Sequence, residues 1–284
     1  MKKHDLIGVS SNFSGYSQII DLYHRFKNWE YGEIDLSIQE WFDANLCSAL
    51  GSVLDELSED FKIIRISAEG RTREILQKNS FLSHYGYPSI EDRYHTTLQY
   101  IKLKPPETRF FSNYIITNLL KRPEMPTMSR ALTKKIYESI FEIFANAQIH
   151  SESDFIYVCG QFYPQKHKLI FTIADNGIGF KNKINRRFKS NLTAVQAIRW
   201  AIQDGHSTKT DIPGGIGLAI LKDFITLNKG MLQIVSNEGF YQKDEQSEFF
   251  SYFPDPFPGT VVTVEFRTDD PRSYSLASEK NERG

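Results

Sequence analysis

Over roughly the first hundred residues, the apolar positions switch between strand-like runs and helix-like stripes. Glu33-Ile-Asp-Leu-Ser reads as a short strand, and over 45–57 Leu46, Ala49, Leu50, Val53, Leu54 and Leu57 recur at helical spacing. Lys62-Ile-Ile-Arg-Ile-Ser gives a second strand and 71–79 a second helix. A strand–helix–strand–helix order in so short a stretch predicts a small α/β unit with parallel strands. Gly86-Tyr-Pro88 and Lys104-Pro105-Pro106-Glu107 then break the periodicity and set a boundary within 86–108.

Beyond it, 110–120 and 127–147 read as helices, the second with an apolar stripe of Leu132, Ile136, Ile140, Ile143 and Phe144. Two strand candidates, 155–160 and 169–174, flank Pro164-Gln-Lys-His167 and form a hairpin. Helices over 192–203 and 216–227 follow, then strands over 231–236 and 260–266. The pattern predicts an antiparallel or mixed sheet covered on one face by helices. From Thr268 onward the chain is polar and reads as a frayed tail. The expected layout is a small α/β domain over 1–100, a larger domain over 108–267 and a disordered tail over 268–284, of α/β (α+β) class.

The 284 residues suit two domains, and 40% hydrophobic with 24% charged content is ordinary for a globular protein. A net charge of −1 gives no electrostatic reason to expect nucleic acid as the main partner, though it leaves room for a local basic patch. Cys47 and Cys159 both sit in apolar runs and read as reduced core thiols of a cytoplasmic protein. No apolar h-region follows the polar N-terminus, and no apolar run approaches the ~20 residues a membrane span needs, so neither a signal peptide nor a membrane anchor is expected.

Chemistry concentrates in three blocks of fixed order: Glu142-Ile-Phe-Ala-Asn146-Ala-Gln-Ile-His150, Asp175-Asn-Gly177-Ile-Gly179 and Gly214-Gly215-Ile-Gly217-Leu218. Residues four apart on a helix share a face, so Glu142, Asn146 and His150 form one stripe beside the apolar one. A glutamate there is suited to polarise a water, and the asparagine oxygen is a hard ligand that suits Mg²⁺; a solvated helix face would carry the same residues. Asp175 ends a strand before a glycine turn. Alone it reads as a common Asp-Asn-Gly turn, but a buried carboxylate there would accept from adenine's exocyclic amine. Gly214, Gly215 and Gly217 open a helix whose amides would cradle phosphates. The block is not a G-x-x-x-x-G-K-[ST] loop, and no strand precedes it as a dinucleotide fold requires. The polar, glycine-bearing stretch 204–213 before it has the makings of a lid. Its Lys209 is either a phosphate contact or a solvated loop lysine.

The ordered set resembles the ATP-binding domain shared by DNA gyrase, the heat-shock chaperone of the same superfamily, histidine kinases and mismatch-repair ATPases, the GHKL superfamily. Glu142 and Asn146 match its N box, Asp175-x-Gly177-x-Gly179 its first glycine box and Gly214-x-x-Gly217 its second. Gly259-Thr260 matches the final Gly-Thr motif, whose threonine supports the adenine-binding aspartate. The resemblance spans about 108–267 and implies a Bergerat fold, a helical layer on a mixed sheet with ATP and Mg²⁺ held between them under a lid. It implies that Glu142 orients the attacking water, Asn146 holds Mg²⁺ and Asp175 reads adenine. Gly177 and Gly179 would let the backbone approach the base. Histidine kinases usually carry Asn where Glu142 stands, and His84-Tyr-Gly-Tyr-Pro88 has a glycine where a phosphoacceptor helix is needed. The hydrolysing ATPases and the anti-sigma-factor serine kinases both carry the glutamate.

The front unit, through Ile34-Asp-Leu-Ser and Trp41-Phe42-Asp43-Ala44-Asn45-Leu46, is similar to the STAS domain of anti-anti-sigma factors. Signalling members place a phosphorylated serine after that aspartate; here Ala44 stands instead. The expectation is an ATP-binding switch that slowly hydrolyses Mg-ATP and couples lid closure to a protein partner or to homodimerisation. The alternatives are a serine/threonine kinase acting in trans on a STAS-like partner, and a nucleotide-sensing module without turnover.

Overall fold

The computed structural model describes residues 2–29, 32–58, 62–150, 153–203 and 217–281. The chain opens with a three-stranded parallel sheet, order β1-β2-β3. Its elements are β1 (Lys2–Val9), α1 (Phe13–Phe26), β2 (Gly32–Phe42), α2 (Cys47–Ser58), β3 (Lys62–Ala68) and α3 (Gly70–Lys78). The predicted strands and helices of this unit are present and the strands pair in parallel. β1 and α1 escape the periodicity reading. β1 buries only His4, Leu6 and Val9 among polar neighbours, as a strand at a sheet edge does. α1 starts where the Asn12 side chain accepts from the Gly15 N–H at 2.9 Å.

The remainder is built on a five-stranded sheet, order β4-β5-β6-β8-β7, antiparallel at every pairing. In chain order come β4 (Thr97–Leu103), α4 (Thr108–Tyr114), α5 (Arg130–His150), β5 (Ile156–Tyr163), β6 (Lys168–Asp175), α6 (Gly179–Phe188), α7 (Ala194–Ala201), α8 (Gly217–Asn228), β7 (Met231–Lys243), β8 (Glu248–Arg267) and α9 (Ala277–Asn281). α4 runs on into a π-helical turn over Ile115–Leu120. β4 falls inside the stretch where the broken periodicity suggests a boundary; it pairs with β5 and spans residue 100. Among the described residues no helix is long and apolar enough to cross a membrane.

One face of this sheet carries the expected helical layer. Ile136, Ile140 and Phe144 of α5 and Leu221 and Ile225 of α8 share a core with Val158, Phe171, Ile173, Val262 and Val264. The other face is covered too, which the prediction of a one-sided cover did not include. There Leu46, Leu50 and Leu54 pack in one cluster with Tyr157, Cys159, Ala174, Val235 and Val261, so the front unit's helices form the third layer. β5 and β6 are buried almost without alternation, as strands enclosed on both faces must be.

A polar seam runs through this second interface. Asn45 donates to the Thr172 hydroxyl at 2.9 Å, Thr172 meets Thr263 at 2.9 Å, and Tyr16 meets Thr263 at 2.7 Å. The Ala44 N–H donates to Gln161 at 2.7 Å, and the Tyr163 hydroxyl donates to Asp43 at 2.7 Å. Each of these groups has a partner across the interface, which fixes how the two units register. Ala44 is therefore wholly buried and bonded to the sheet.

The tail corrects an expectation. Residues 268–281 are seated on the domain instead of fraying. Tyr274 bridges to Met128, accepts from the Ser129 N–H at 2.8 Å, and sets its ring edge-on to Phe224 at 5.3 Å. One buried aromatic anchors a segment whose composition is otherwise polar.

Candidate functional site

β6 ends at Asp175, whose register partners are Ile156 on β5 and Thr260 on β8. The carboxylate thus lies at the end of a central strand, on the sheet face that α5 and α8 cover. Gly259 permits the approach: its φ is +139°, and a Cβ there would overlap the Asp175 carbonyl oxygen. Gly177 folds back so that its N–H donates to Asp175 Oδ1 at 2.9 Å. Gly179 sits at φ +75° against Asn237, where a Cβ would collide with the side-chain amide. Asn237 latches this turn from β7, accepting from the Lys181 N–H at 3.1 Å and donating to the Ile178 carbonyl at 3.1 Å. Ser236 accepts from the Phe180 N–H at 2.8 Å.

The turn opens on a pocket of about 460 Å³ of empty space, including solvent at its mouth. Its walls bring together Asn146 from α5, Asp175, Gly179 and Thr260, four of the residues singled out in the sequence, from three separate segments. Ile143 and Ala147 of α5, Ile173, Val262, Phe180 and Leu218 make the rest largely apolar, and Lys183 adds a cation. The lining is that of a small-ligand site, apolar walls around a few convergent polar groups.

Burial dominates the electrostatics. It pushes the Asp175 carboxyl up to about 6, against the opposing pull of the Gly177 amide, the Lys183 charge and the Thr260 backbone. Thr260 supports the aspartate through its backbone; its hydroxyl instead pairs with Ser236 at 3.0 Å. A carboxylate at the bottom of an apolar pocket is a strong acceptor facing whatever N–H or O–H donor a flat ligand brings.

Glu142 lies one turn before Asn146 on α5 and is half-buried, outside the pocket wall. Gly177 holds Asp175 and is not itself a wall residue. Gly217 opens α8, and its neighbour Leu218 reaches the pocket. Gly214 and Gly215, the lid stretch with Lys209, and the side chain of His150 lie outside the described residues. Among the described residues no three His, Cys, Asp or Glu side chains cluster closely enough to hold a metal, so an ion at Asn146 would complete its shell from ligand oxygens and water. His4-Asp5, the chain's one histidine followed by an acid, lies in β1 and not on a helix.

Lys183, Phe180, Ser236 and Asn237 escaped the sequence reading. Lys183 follows Gly179 by four, one helical turn along the same face, but α6 is so polar that the periodicity shows no helix there; only Gly179 and Ile184 are buried in it. Ser236 and Asn237 end an apolar run, and nothing local marks them as partners of a turn some 56 residues away. No protein-family model matches this chain, and a search of the curated proteins finds no match to it.

Proposed function

We propose that this pocket binds ATP with Mg²⁺ and that the protein is a switch which slowly hydrolyses it. The observation that carries the reading is the convergence of Asn146, Asp175, Gly179 and Thr260 on one apolar-walled pocket. Adenine is flat and apolar on its faces and offers an amine at its edge, which matches apolar walls with one buried acceptor. Asp175 would read that amine. Asn146 would contribute an oxygen to Mg²⁺, whose role when bound is to neutralise phosphate charge. Glu142 would orient the attacking water from beyond the wall, and the glycines at 214, 215 and 217 would hold the phosphates. The two thiols, both free and buried, agree with a cytoplasmic setting. A partner protein or a second copy would read the closed state.

Calorimetric titration with Mg-ATP tests the binding; absence of binding to the wild-type protein sinks the proposal. Radiolabelled ATP then separates the outputs. Free phosphate alone supports hydrolysis, whereas label on a STAS-like protein supports a kinase. Loss of turnover with retained affinity in Glu142→Ala marks that residue as the one that orients the water.

A further inference from the structure

A second surface, at the C-terminal end of α6 and across α7, has a different chemistry. Residues 179–203 contain six Lys or Arg and no Asp or Glu, in a chain of net charge −1. Lys181 is held by Glu238 at 3.2 Å, and Lys183 turns toward the pocket. Arg187, Lys189 and Arg199 are exposed, and no ion pair among the described residues engages them.

Aromatic rings lie among these cations. Phe188 is 49% exposed and 5.3 Å from Trp200, and the Arg187 guanidinium lies 6.0 Å from the Phe188 ring. Arg199 covers Phe250 of the β7–β8 hairpin at 4.0 Å. Next on that strand's same face, Tyr252 is 54% exposed, its hydroxyl 3.1 Å from Thr193 at the start of α7. α7 can lie this close because Gly239 offers no side chain to meet Ala194 and Ile198. Cations and rings thus alternate along one ribbon that crosses α6, α7 and the hairpin.

We infer that this ribbon binds single-stranded polynucleotide, with phosphates on Arg187, Lys189 and Arg199 and bases stacked on Phe188, Trp200 and Tyr252. Rings set between cations, Phe188 and Tyr252 exposed and Trp200 half-buried, are what an unpaired strand requires, because each nucleotide brings a π-face and a charge. A duplex hides its base faces. An anionic bilayer would favour rings gathered on one helix stripe, whereas these are spread over three elements.

Polarisation of fluorescein-labelled oligo(dT) and oligo(rU) of about 20 nucleotides, titrated with the full chain, tests this. With three phosphate contacts the log–log salt slope is about −2, so affinity falls roughly 15-fold between about 50 and 200 mM salt. Oligonucleotide should quench tryptophan fluorescence, and Trp200→Phe should remove that quench while Trp29 and Trp41 remain. The double variant Arg187→Glu with Lys189→Glu should lose at least ~10-fold in affinity, with thermal unfolding and ATP binding unchanged. Preference between the two oligomers reports whether the strand is DNA or RNA, and binding of either supports the inference. No binding at about 100 µM protein in about 50 mM salt would overturn it. So would equal binding by the charge-reversed variant, equal competition by duplex, or binding only to vesicles of phosphatidylserine and phosphatidylcholine.

Discussion

Replacing Asp175 by Asn should make the fold more stable and the site less able to bind. An unfolded aspartate titrates near 3.8, and burial moves Asp175 to about 6 in the folded chain. A shift of about two pH units at ~1.36 kcal/mol each means that ionised Asp175 costs the native state about 3 kcal/mol at neutral pH. The sign follows from proton binding. Between those two values the folded state holds the proton and the unfolded state does not, so stability falls as pH rises from about 4 to 6 and stays reduced above. Asparagine is neutral throughout and keeps an oxygen for the Gly177 amide. Urea unfolding at several pH values should therefore show Asp175→Asn equal to wild type near pH 4 and more stable by up to ~3 kcal/mol at pH 7. In the same variant the other carboxylate oxygen becomes an amide NH₂ group, which would face adenine's amine donor to donor. Affinity for ATP should drop by about 10- to 100-fold, the cost of an unpaired buried donor. A stability difference that does not vary with pH would refute the buried-charge argument. Parallel loss of stability and affinity would mean that the aspartate serves only to hold the glycine turn.

Three further outcomes follow from the same geometry. ATP affinity of the wild type should weaken as pH falls through about 6, because a protonated Asp175 no longer offers two acceptor oxygens; calorimetry at pH 5 and 7 reads this, and Asp175→Asn should show no such dependence. Gly259→Ala should destabilise by at least ~1–3 kcal/mol, since it puts a Cβ into the Asp175 carbonyl at a φ that L-residues avoid; a denaturant midpoint equal to wild type would contradict the close approach. Asn45→Ala should cost about 1–3 kcal/mol by orphaning partners in the buried seam, with ATP affinity retained; a loss within ~0.5 kcal/mol would mean that the seam is not carrying the docking of the front unit.

What could be read from the chain and what could not divides along physical lines. The helix stripe of Ile136, Ile140 and Phe144 and the runs of β5 and β6 depend on burial alone, and burial writes itself into local periodicity. The same is true of Asp175 and Gly259, because a strand end and a forced backbone approach each select a residue type on the spot. Elements with little to bury are silent: β1 hides three side chains and α6 two residues, so neither has a stripe to find. Partnerships across the fold are silent as well, such as Asn237 with the glycine turn or Gln161 with Ala44. The front unit's role belongs to this second class. Its sequence suggests a small α/β unit similar to a STAS domain, but nothing in that pattern shows that the loop at Ala44 is sealed against β5 or that the Asn176 amide beside Asp175 donates to Glu56 of α2 at 3.1 Å. The turn that shapes the pocket is thus braced by Asn237 of the sheet and by Glu56 of the front unit at once. The front unit therefore touches the turn beside Asp175 directly, a contact between distant segments that no local pattern in either one marks.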